Sequence, residues 1–176
     1  MITLEELNVL SMSEFVTIIG PIFEGSPWIA ERAWSAGPFG DADDLHRSLC
    51  QRMYRANNEE KLALICAHPD LAGHAATSGA LTPESTAEQA GAGLDRLTSE
   101  EFAAFSQMNE EYRARFGFPF VICVGEHTKE SILARFAARL ENDRKKEVET
   151  ALVEICKIAR LRLRELVEDS NAQESA

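Results

Sequence analysis

Basic residues are scarce in this chain of 176 residues, which has 18 lysines and arginines against 29 aspartates and glutamates. Binding to nucleic acid depends on a clustered basic surface that neutralises phosphates, so a formal net charge of -11 argues against such a partner. The one basic cluster, residues 144–146, has acidic neighbours and is typical of a solvated helix face. A small anion could bind only at a local positive site that works against the overall negative field.

Long hydrophobic runs are missing as well. A membrane-spanning helix needs about 20 consecutive apolar residues, and no run in the chain approaches that length. The first residues, MITLEELNVL, lack the basic region and apolar core of a signal peptide. The last residues, ESA, do not form a peroxisomal address. We therefore expect a cytoplasmic protein with no membrane partner.

Cysteine is also sparse, and no two cysteines form a C-x-x-C pair. Widely spaced thiols in apolar segments are more typical of small hydrophobic side chains than of disulfides or metal ligands. We expect reduced and packed thiols, in keeping with a cytosolic location. The four residues are Cys50, Cys66, Cys123 and Cys156.

Signals for helix ends, in contrast, are frequent. Capping boxes, in which a serine or threonine is followed three residues later by a glutamate, occur at Thr3, Ser11 and Thr98. Gly117 is predicted to end the helix that follows Thr98. Further helix starts are predicted at Ser26-Pro27, Asp41, Asn58 and Thr82-Pro83.

These signals predict an all-α fold, a single-domain bundle of about eight helices over residues 1–168. Residues 169–176 are expected to form a flexible tail. The segment FPFVICV at 118–124 is the one stretch that looks extended. Because no partner strand is evident for it, we expect no significant sheet.

Four features do not fit a plain bundle, and the first is His68. It ends the apolar run ALICA and is followed at once by Pro69. Helices tend to end before the residue that precedes a proline, so His68 is predicted to lie where the helix breaks and to point away from the packed face of that helix. A simpler alternative is a histidine that caps the helix C-terminus.

The second feature is the sequence STAEQ at 85–89. On a helix, Ser85 lies three residues before Glu88 and four before Gln89, so the three side chains project from nearly one face. A hydroxyl, a carboxylate and an amide would converge there, and the small residues of AGAG that follow would allow a ligand or another backbone to come close. The alternative is an ordinary solvated polar face.

The third feature is Arg162 on the last helix. Leu152, Ile155, Ala159 and Leu166 follow alternating three- and four-residue steps, and Arg162 continues this apolar stripe. A charge on a core-facing stripe needs a partner or a functional reason. It could reach the surface through its long stem, pair with a buried carboxylate, or bind a ligand.

The fourth feature is RFGFPFVICV at 115–124, an apolar segment that Gly117 and Pro119 keep from forming a regular helix. The backbone N–H and C=O groups of such a segment must find partners. They could contact a ligand, or helix ends and water could satisfy them.

Taken together, these features resemble the OHCU decarboxylase family. HPDLAG at 68–73, S-x-x-E-Q at 85–89, FGFPFV at 116–121 and R-L at 162–163 occur in the order and approximate spacing of that family. OHCU is 2-oxo-4-hydroxy-4-carboxy-5-ureidoimidazoline, an unstable product of urate oxidation. The resemblance covers residues 4–168 and implies an all-helical, cofactor-independent enzyme that commonly forms homodimers.

The resemblance also implies the reaction and the residues that serve it. The reaction is the decarboxylation of OHCU to (S)-allantoin and CO2, a step of purine catabolism with no metal. His68 and Glu88 match the catalytic positions. The positions that match substrate-binding residues are Pro69, Ser85, Gln89, Phe118, Phe120, Val121, Ile122 and Arg162.

Two other interpretations stay open at this point. A non-enzymatic helical adaptor would have the same helices, with His68, Glu88 and Arg162 as unrelated caps and surface pairs. A metal site could use His68 and His74, but these are six residues apart across a helix break and form no H-x-x-x-H pair.

Overall fold

The computed structural model describes residues 1–72 and 82–168. Within these ranges the chain forms nine α-helices and two short 3-10 helices, which confirms the all-α prediction. The 3-10 helices span Gly20–Ile22 and Val124–Glu126. The α-helices are α1 (Leu4–Asn8), α2 (Met12–Ile19), α3 (Trp28–Trp34), α4 (Ala42–Arg55), α5 (Asn58–Ala67), α6 (Pro83–Gly91), α7 (Ser99–Phe116), α8 (Lys129–Leu140) and α9 (Arg144–Leu166).

Two strands of two residues each make up the sheet in the described part of the chain. β1 (Ile2–Thr3) pairs in parallel with β2 (Val167–Glu168), and Ile2 lies opposite Val167. The segment 118–124 is irregular and has no partner strand within the same ranges. The prediction of no significant sheet is therefore confirmed.

Several predicted helix ends are confirmed in detail. Thr3, Ser11 and Thr98 each form a capping box with the glutamate three residues later. Thr82 accepts a hydrogen bond from the Ser85 N–H at the start of α6. Because these signals act within one helical turn, a sequence pattern alone can locate them.

Two predicted caps are wrong by one residue. At α3, Ser26 was predicted to cap the helix and Pro27 to be its first residue. Instead Pro27 occupies the N-cap position, the first helical residue is Trp28, and no side chain caps the helix. At α5, Asn57 and not Asn58 forms the box, since its Oδ1 accepts the Glu60 N–H at 2.9 Å. The Asn57 N–H donates in return to the Glu60 carboxylate at 3.1 Å.

The described chain divides into two compact units. The first unit contains residues 1–64 and the chain from Cys156 onward. Within it α2 packs against α3 and α3 against α4. The Asn8 side chain bonds both edges of the Phe39 backbone, donating to the C=O at 2.9 Å and accepting from the N–H at 2.8 Å.

The second unit, Ile65–Ile155, has an aromatic core. Here α7 packs against α8. Phe120 stacks on Phe136 with ring centroids 3.7 Å apart, and Tyr112 meets Phe120 edge to face at 5.1 Å. The predicted single domain over residues 1–168 stays a prediction, and the predicted tail at 169–176 lies outside the described residues.

The four cysteines are all free thiols. Cys50 and Cys123 are buried and Cys156 is half-buried, but Cys66 is exposed, so the prediction that it packs as a small hydrophobic side chain is wrong. The reason is helical geometry, because α5 already buries Leu64 and Ile65 and the next residue lies about 100° further round the helix. Elsewhere, hydrogen bonding to Cys156 and burial raise the pKa of the Cys50 thiol.

None of the helices among the described residues is both long and apolar enough to cross a membrane.

Candidate active site

His68 follows α5 directly, and its imidazole is buried, with 7% of the residue exposed. Its backbone N–H donates to the Ile65 carbonyl at 3.2 Å, which closes the last turn of the helix. Pro69 comes next and is half-buried. The predicted break before the proline is confirmed, and it leaves a titratable ring in a buried position at a helix end.

The predicted polar face of α6 is largely buried. Ser85 and Gln89 are each only 5% exposed, while Glu88 is half-buried. This rules out an ordinary solvated face for S-x-x-E-Q. α6 also packs against the 3-10 helix Val124–Glu126, which follows the FGFPFV segment.

Gln89 uses one end of its amide to hold the chain after His68. Its Oε1 accepts the Ala72 N–H at 2.9 Å, which determines the orientation of the amide. Its Nε2 is buried and has no hydrogen-bond partner within the described residues. A buried donor without a partner costs free energy, so this atom is a candidate contact for a bound ligand.

The backbone of the segment 116–124 is held by charged side chains of α8 and α9. Arg144 donates to the Phe116 carbonyl at 3.1 Å, and Arg139 donates to the Val121 carbonyl at 2.7 Å. The Cys123 N–H donates to the Glu154 carboxylate at 2.9 Å. The partners of this apolar segment are therefore ionic side chains, which sequence reasoning missed.

Arg139 belongs to a buried network that joins α7, α8 and α9. Its Nε lies 2.9 Å from the Glu147 carboxylate, and both residues are less than 10% exposed. The Tyr112 hydroxyl donates to the same carboxylate, and Asn142 donates to its other oxygen at 2.6 Å. Burial raises the pKa of the Tyr112 phenol, and the hydrogen bond to Glu147 adds to this, so the phenol stays protonated as a donor. The Arg139 guanidinium also lies 4.3 Å from the centre of the Phe120 ring.

A sequence signal for this network did exist. Glu147 lies four residues before Ala151, which lies four before Ile155, so Glu147 falls on the same apolar stripe that carries Arg162. Glu147, like Arg162, is therefore a charged residue on a core-facing helix face, and it is fully buried.

The side chains predicted at 118–122 all lie in the core of the second unit. Each is less than 5% exposed, so only the backbone of this segment could face a ligand. The substrate-binding role that the family resemblance implies for this segment stays a prediction. The four residues are Phe118, Phe120, Val121 and Ile122.

Arg162 lies in the first unit and is 7% exposed. It donates to the Ile22 carbonyl and to the Glu24 carboxylate, both at 3.2 Å, and Glu24 is itself buried. The expectation that a charge on the apolar stripe needs a partner is confirmed. Among the alternatives, pairing with a buried carboxylate is correct, and extension to the surface is wrong.

His68, Pro69, the polar face of α6 and the segment 118–122 all belong to the second unit, while Arg162 belongs to the first. The described residues contain no group of three histidine, cysteine, aspartate or glutamate side chains placed to hold a metal ion. His74, the second residue of the alternative metal site, lies outside the described residues.

The second unit therefore holds a buried histidine, a buried serine hydroxyl and a buried amide nitrogen without a hydrogen-bond partner within the described residues, all polar groups that a ligand could contact. Residues 8–164 match the model of the family described as OHCU decarboxylase. The chain belongs to that family, and it is a decarboxylase.

Relatives support the assignment over nearly the whole chain. A 2-oxo-4-hydroxy-4-carboxy-5-ureidoimidazoline decarboxylase from Haloferax volcanii is 41% identical over 164 residues, which are 93% of this chain and 95% of that protein. A protein of the same name from Halalkalicoccus jeotgali is 39% identical over 165 residues, covering 94% and 92% of the two chains.

Solved structures have the same fold. A crystal structure of (S)-allantoin synthase superposes with a TM-score of 0.76 at 26% identity, over 94% of this chain and 54% of that one. A crystal structure of OHCU decarboxylase in the presence of (S)-allantoin gives a TM-score of 0.68 at 25% identity, over 82% and 94% of the two chains.

Proposed function

We propose that this protein converts OHCU to (S)-allantoin and CO2 in urate breakdown, without a cofactor. The observation that carries the proposal is the match of residues 8–164 to the OHCU decarboxylase family. The two solved structures, one named for (S)-allantoin synthase and one obtained with (S)-allantoin, support the product.

The chemistry of the substrate explains why no cofactor is needed. The carbon that loses CO2 also bears a hydroxyl group and a ring nitrogen. Departure of CO2 leaves an electron pair on this carbon, and conjugation with the ring C=N delocalises it, so the substrate supplies its own electron sink. The protein has to stabilise the developing charge, remove water from the carboxylate and deliver a proton to one face.

His68 acts on the substrate hydroxyl or carboxylate. An imidazole ordinarily titrates near neutral pH, so it can accept or donate a proton during the reaction. Glu88 orients the imidazole or shares in the proton transfer. The burial of His68 supports this role, because a buried ring works in a site from which water is largely excluded.

The remaining polar groups bind the two ends of the substrate. Arg162 holds the polar edge of the ring with its planar guanidinium, a geometry that suits oxygen acceptors. Ser85 and Gln89 bind the ureido arm, and the unpaired Nε2 of Gln89 supports this assignment. Pro69 shapes the wall beside His68, and the backbone of 118–122 contacts the ring.

The protein works as a cytoplasmic homodimer. Four free thiols support a reducing compartment, and the resemblance to the family supports the dimer. Light scattering on the eluting peak of a sizing column measures the mass directly. A mass near twice that of the 19.5 kDa chain is expected.

The reaction can be tested with substrate made in place. Urate is converted to OHCU by the upstream enzymes, this protein is added with an excess of chelator, and the chirality of allantoin is followed by circular dichroism. We expect rapid formation of one enantiomer that the chelator does not slow. An unchanged racemate would refute the proposed activity, and a rate lost with the chelator would refute its cofactor independence.

A further inference from the structure

One peptide group after His68 is held from both edges by side-chain amides. Gln89 of α6 accepts the Ala72 N–H at 2.9 Å, and Asn109 of α7 donates its Nδ2 to the Leu71 carbonyl at 2.8 Å. The N–H and C=O of a trans peptide point in opposite directions, so the two amides grip opposite edges of the same Leu71–Ala72 peptide. We call this pair of contacts the amide clamp.

The clamped residue has a backbone conformation that needs support. Ala72 has a φ of 52°, in the left-handed region that residues with a Cβ atom rarely adopt. Such a conformation persists where surrounding contacts impose it, and these sites are often functional. The amide clamp supplies those contacts on either side of the peptide that precedes the Ala72 Cα.

A third contact binds Asp70, which lies between Pro69 and the residues of the amide clamp in the sequence. Arg113, one turn after Asn109 on α7, has its Nε 2.9 and 3.0 Å from the two carboxylate oxygens of Asp70. This pair is partly exposed, so it is weaker than a buried contact. Three consecutive residues, 70–72, are nevertheless tied to α6 and α7 directly after the His68–Pro69 step.

The Asn109 side chain is poorly explained by stability alone. It is 6% exposed, and its Oδ1 is buried without a hydrogen-bond partner within the described residues. A leucine of similar size would avoid that cost. Its donor end, in contrast, has a specific target in the Leu71 carbonyl. A polar group kept in the core at a cost points to a functional reason.

We propose that Asn109 is a positioning residue for the decarboxylation, acting with Gln89 through the amide clamp to set the direction in which His68 projects. The inference rests on the proposed role of His68. The amide clamp also explains the orientation of Gln89, since only Oε1 can accept from the Ala72 N–H, and Nε2 is therefore the end left for the substrate.

The test uses Asn109→Leu, which removes the donor to Leu71 at nearly constant volume. Small displacements of a reacting group are costly, so we expect kcat to fall by at least about tenfold while KM stays within about twofold. The enantiomeric excess of allantoin should also fall, because proton delivery from one face depends on the direction of the His68 ring.

The chain offers a matched control in Asn8→Leu. Asn8 bonds both edges of the Phe39 backbone in the first unit, so this variant breaks a contact of the same type outside the unit that contains His68. We expect a loss of thermal stability with kcat within about twofold of the parent. If Asn109→Leu loses stability but matches Asn8→Leu in kcat and enantiomeric excess, Asn109 is only structural and the inference is wrong.

Two further variants keep the test decisive. If Asn109→Leu does not fold, Asn109→Asp replaces it in the test. Asp has the same shape as Asn but places an oxygen against the Leu71 carbonyl, and the same fall in kcat is expected.

Gln89→Glu keeps the acceptor for the Ala72 N–H and removes Nε2, so it should raise KM more than it lowers kcat. If His68→Asn keeps the parental rate, the proposed role of His68 is wrong. If His68→Asn is inactive but Asn109→Leu is fully active, the proposed role of His68 stands and only the inference about the amide clamp is wrong.

Discussion

At the scale of single residues, the buried charged side chains of the second unit form ion pairs with one another and also bind the backbone of the segment 118–122. Arg139 bonds the Glu147 carboxylate and the Val121 carbonyl, and it covers the Phe120 ring. Removing one partner of a buried ion pair leaves the other without compensation. The segment 118–122 therefore depends on a side chain about 18 residues away along the chain.

We expect Arg139→Met to lower the free energy of unfolding by about 3–5 kcal/mol, because Glu147 would stay buried without its cation. Urea denaturation followed by circular dichroism measures the change. The control is Arg135→Met, on an exposed position of the same helix, which should change stability by less than about 0.5 kcal/mol. Equal effects of the two variants would contradict a structural role for the network.

The proposed role of His68 makes a separate prediction at this scale. His68→Asn should lower kcat by about 10²–10⁴-fold, the usual contribution of a general acid or base, with the fold retained. The rate is read from the dichroism of allantoin. His46→Asn is the matched control, since this half-buried histidine contacts the Cys156 carbonyl in the first unit. Near-parental decarboxylation and full stereoselectivity in His68→Asn would exclude the assignment.

At the scale of elements, α7 carries several groups that support the candidate site and has well-defined ends. Asn109 and Arg113 on this helix contact residues 70–72, which follow His68 and Pro69. Tyr112 donates to the carboxylate of Glu147 in the buried network. The helix begins at the Thr98 capping box and ends at Gly117, which has a φ of 80°. A change at either end tests how firmly α7 is held.

Gly117→Ala should destabilise the protein by about 1–2 kcal/mol, because alanine is strained in the left-handed conformation. A Cβ atom at this position would meet no atom within 4 Å, so the effect reports backbone strain alone. Gly91→Ala, also with open space but inside the last turn of α6, should instead be neutral or stabilising by up to about 1 kcal/mol. Thermal melts of both variants that shift in the same direction would contradict this interpretation.

The N-terminus of α7 predicts a pH dependence. The Lys129 side chain and the Thr98 backbone hold the pKa of Glu101 below its ordinary value. A lowered pKa stabilises the fold above the ordinary pKa, and the contribution is lost as pH falls through the folded value. Glu101→Gln should therefore be less stable than the parent at neutral pH, and the difference should shrink as the pH falls below the ordinary pKa of a glutamate. A difference in urea midpoint that persists unchanged at acid pH would refute this.

At the scale of the whole molecule, an acidic protein is proposed to bind an anionic substrate. The net charge of -11 repels the anionic substrate at long range, while Arg162 is proposed to bind the polar edge of its ring at short range. Salt screens charges separated by more than about 10 Å at 0.1 M ionic strength, so it weakens the repulsion more than the local contact.

We therefore expect kcat/KM to stay constant or rise as ionic strength increases from about 0.02 to 0.15 M. Initial rates at low substrate concentration measure it. A steep fall with salt would show that a positive surface steers the substrate, contrary to the charge balance of the chain.

The sequence by itself determined the helices and most of their ends. Capping boxes, prolines and Gly117 act within about one helical turn, so their effects follow from local spacing. It also singled out His68, the α6 polar face and Arg162, because each breaks a local rule. The error at Asn58 is of one residue, because the neighbouring Asn57 side chain accepts the Glu60 N–H instead, whereas at Ser26 the predicted side-chain cap is missing and Pro27 takes the N-cap position.

Only the tertiary structure decided which distant groups pair. Asn109 reaches the Leu71 carbonyl across 38 residues, and Tyr112 reaches Glu147 across 35. No spacing rule links such positions, because their contact depends on how the helices pack. The exposure of Cys66 was decided in the same way. The physical reason is that local signals determine where a helix begins and ends, while packing determines which of its faces is buried and what that face contacts.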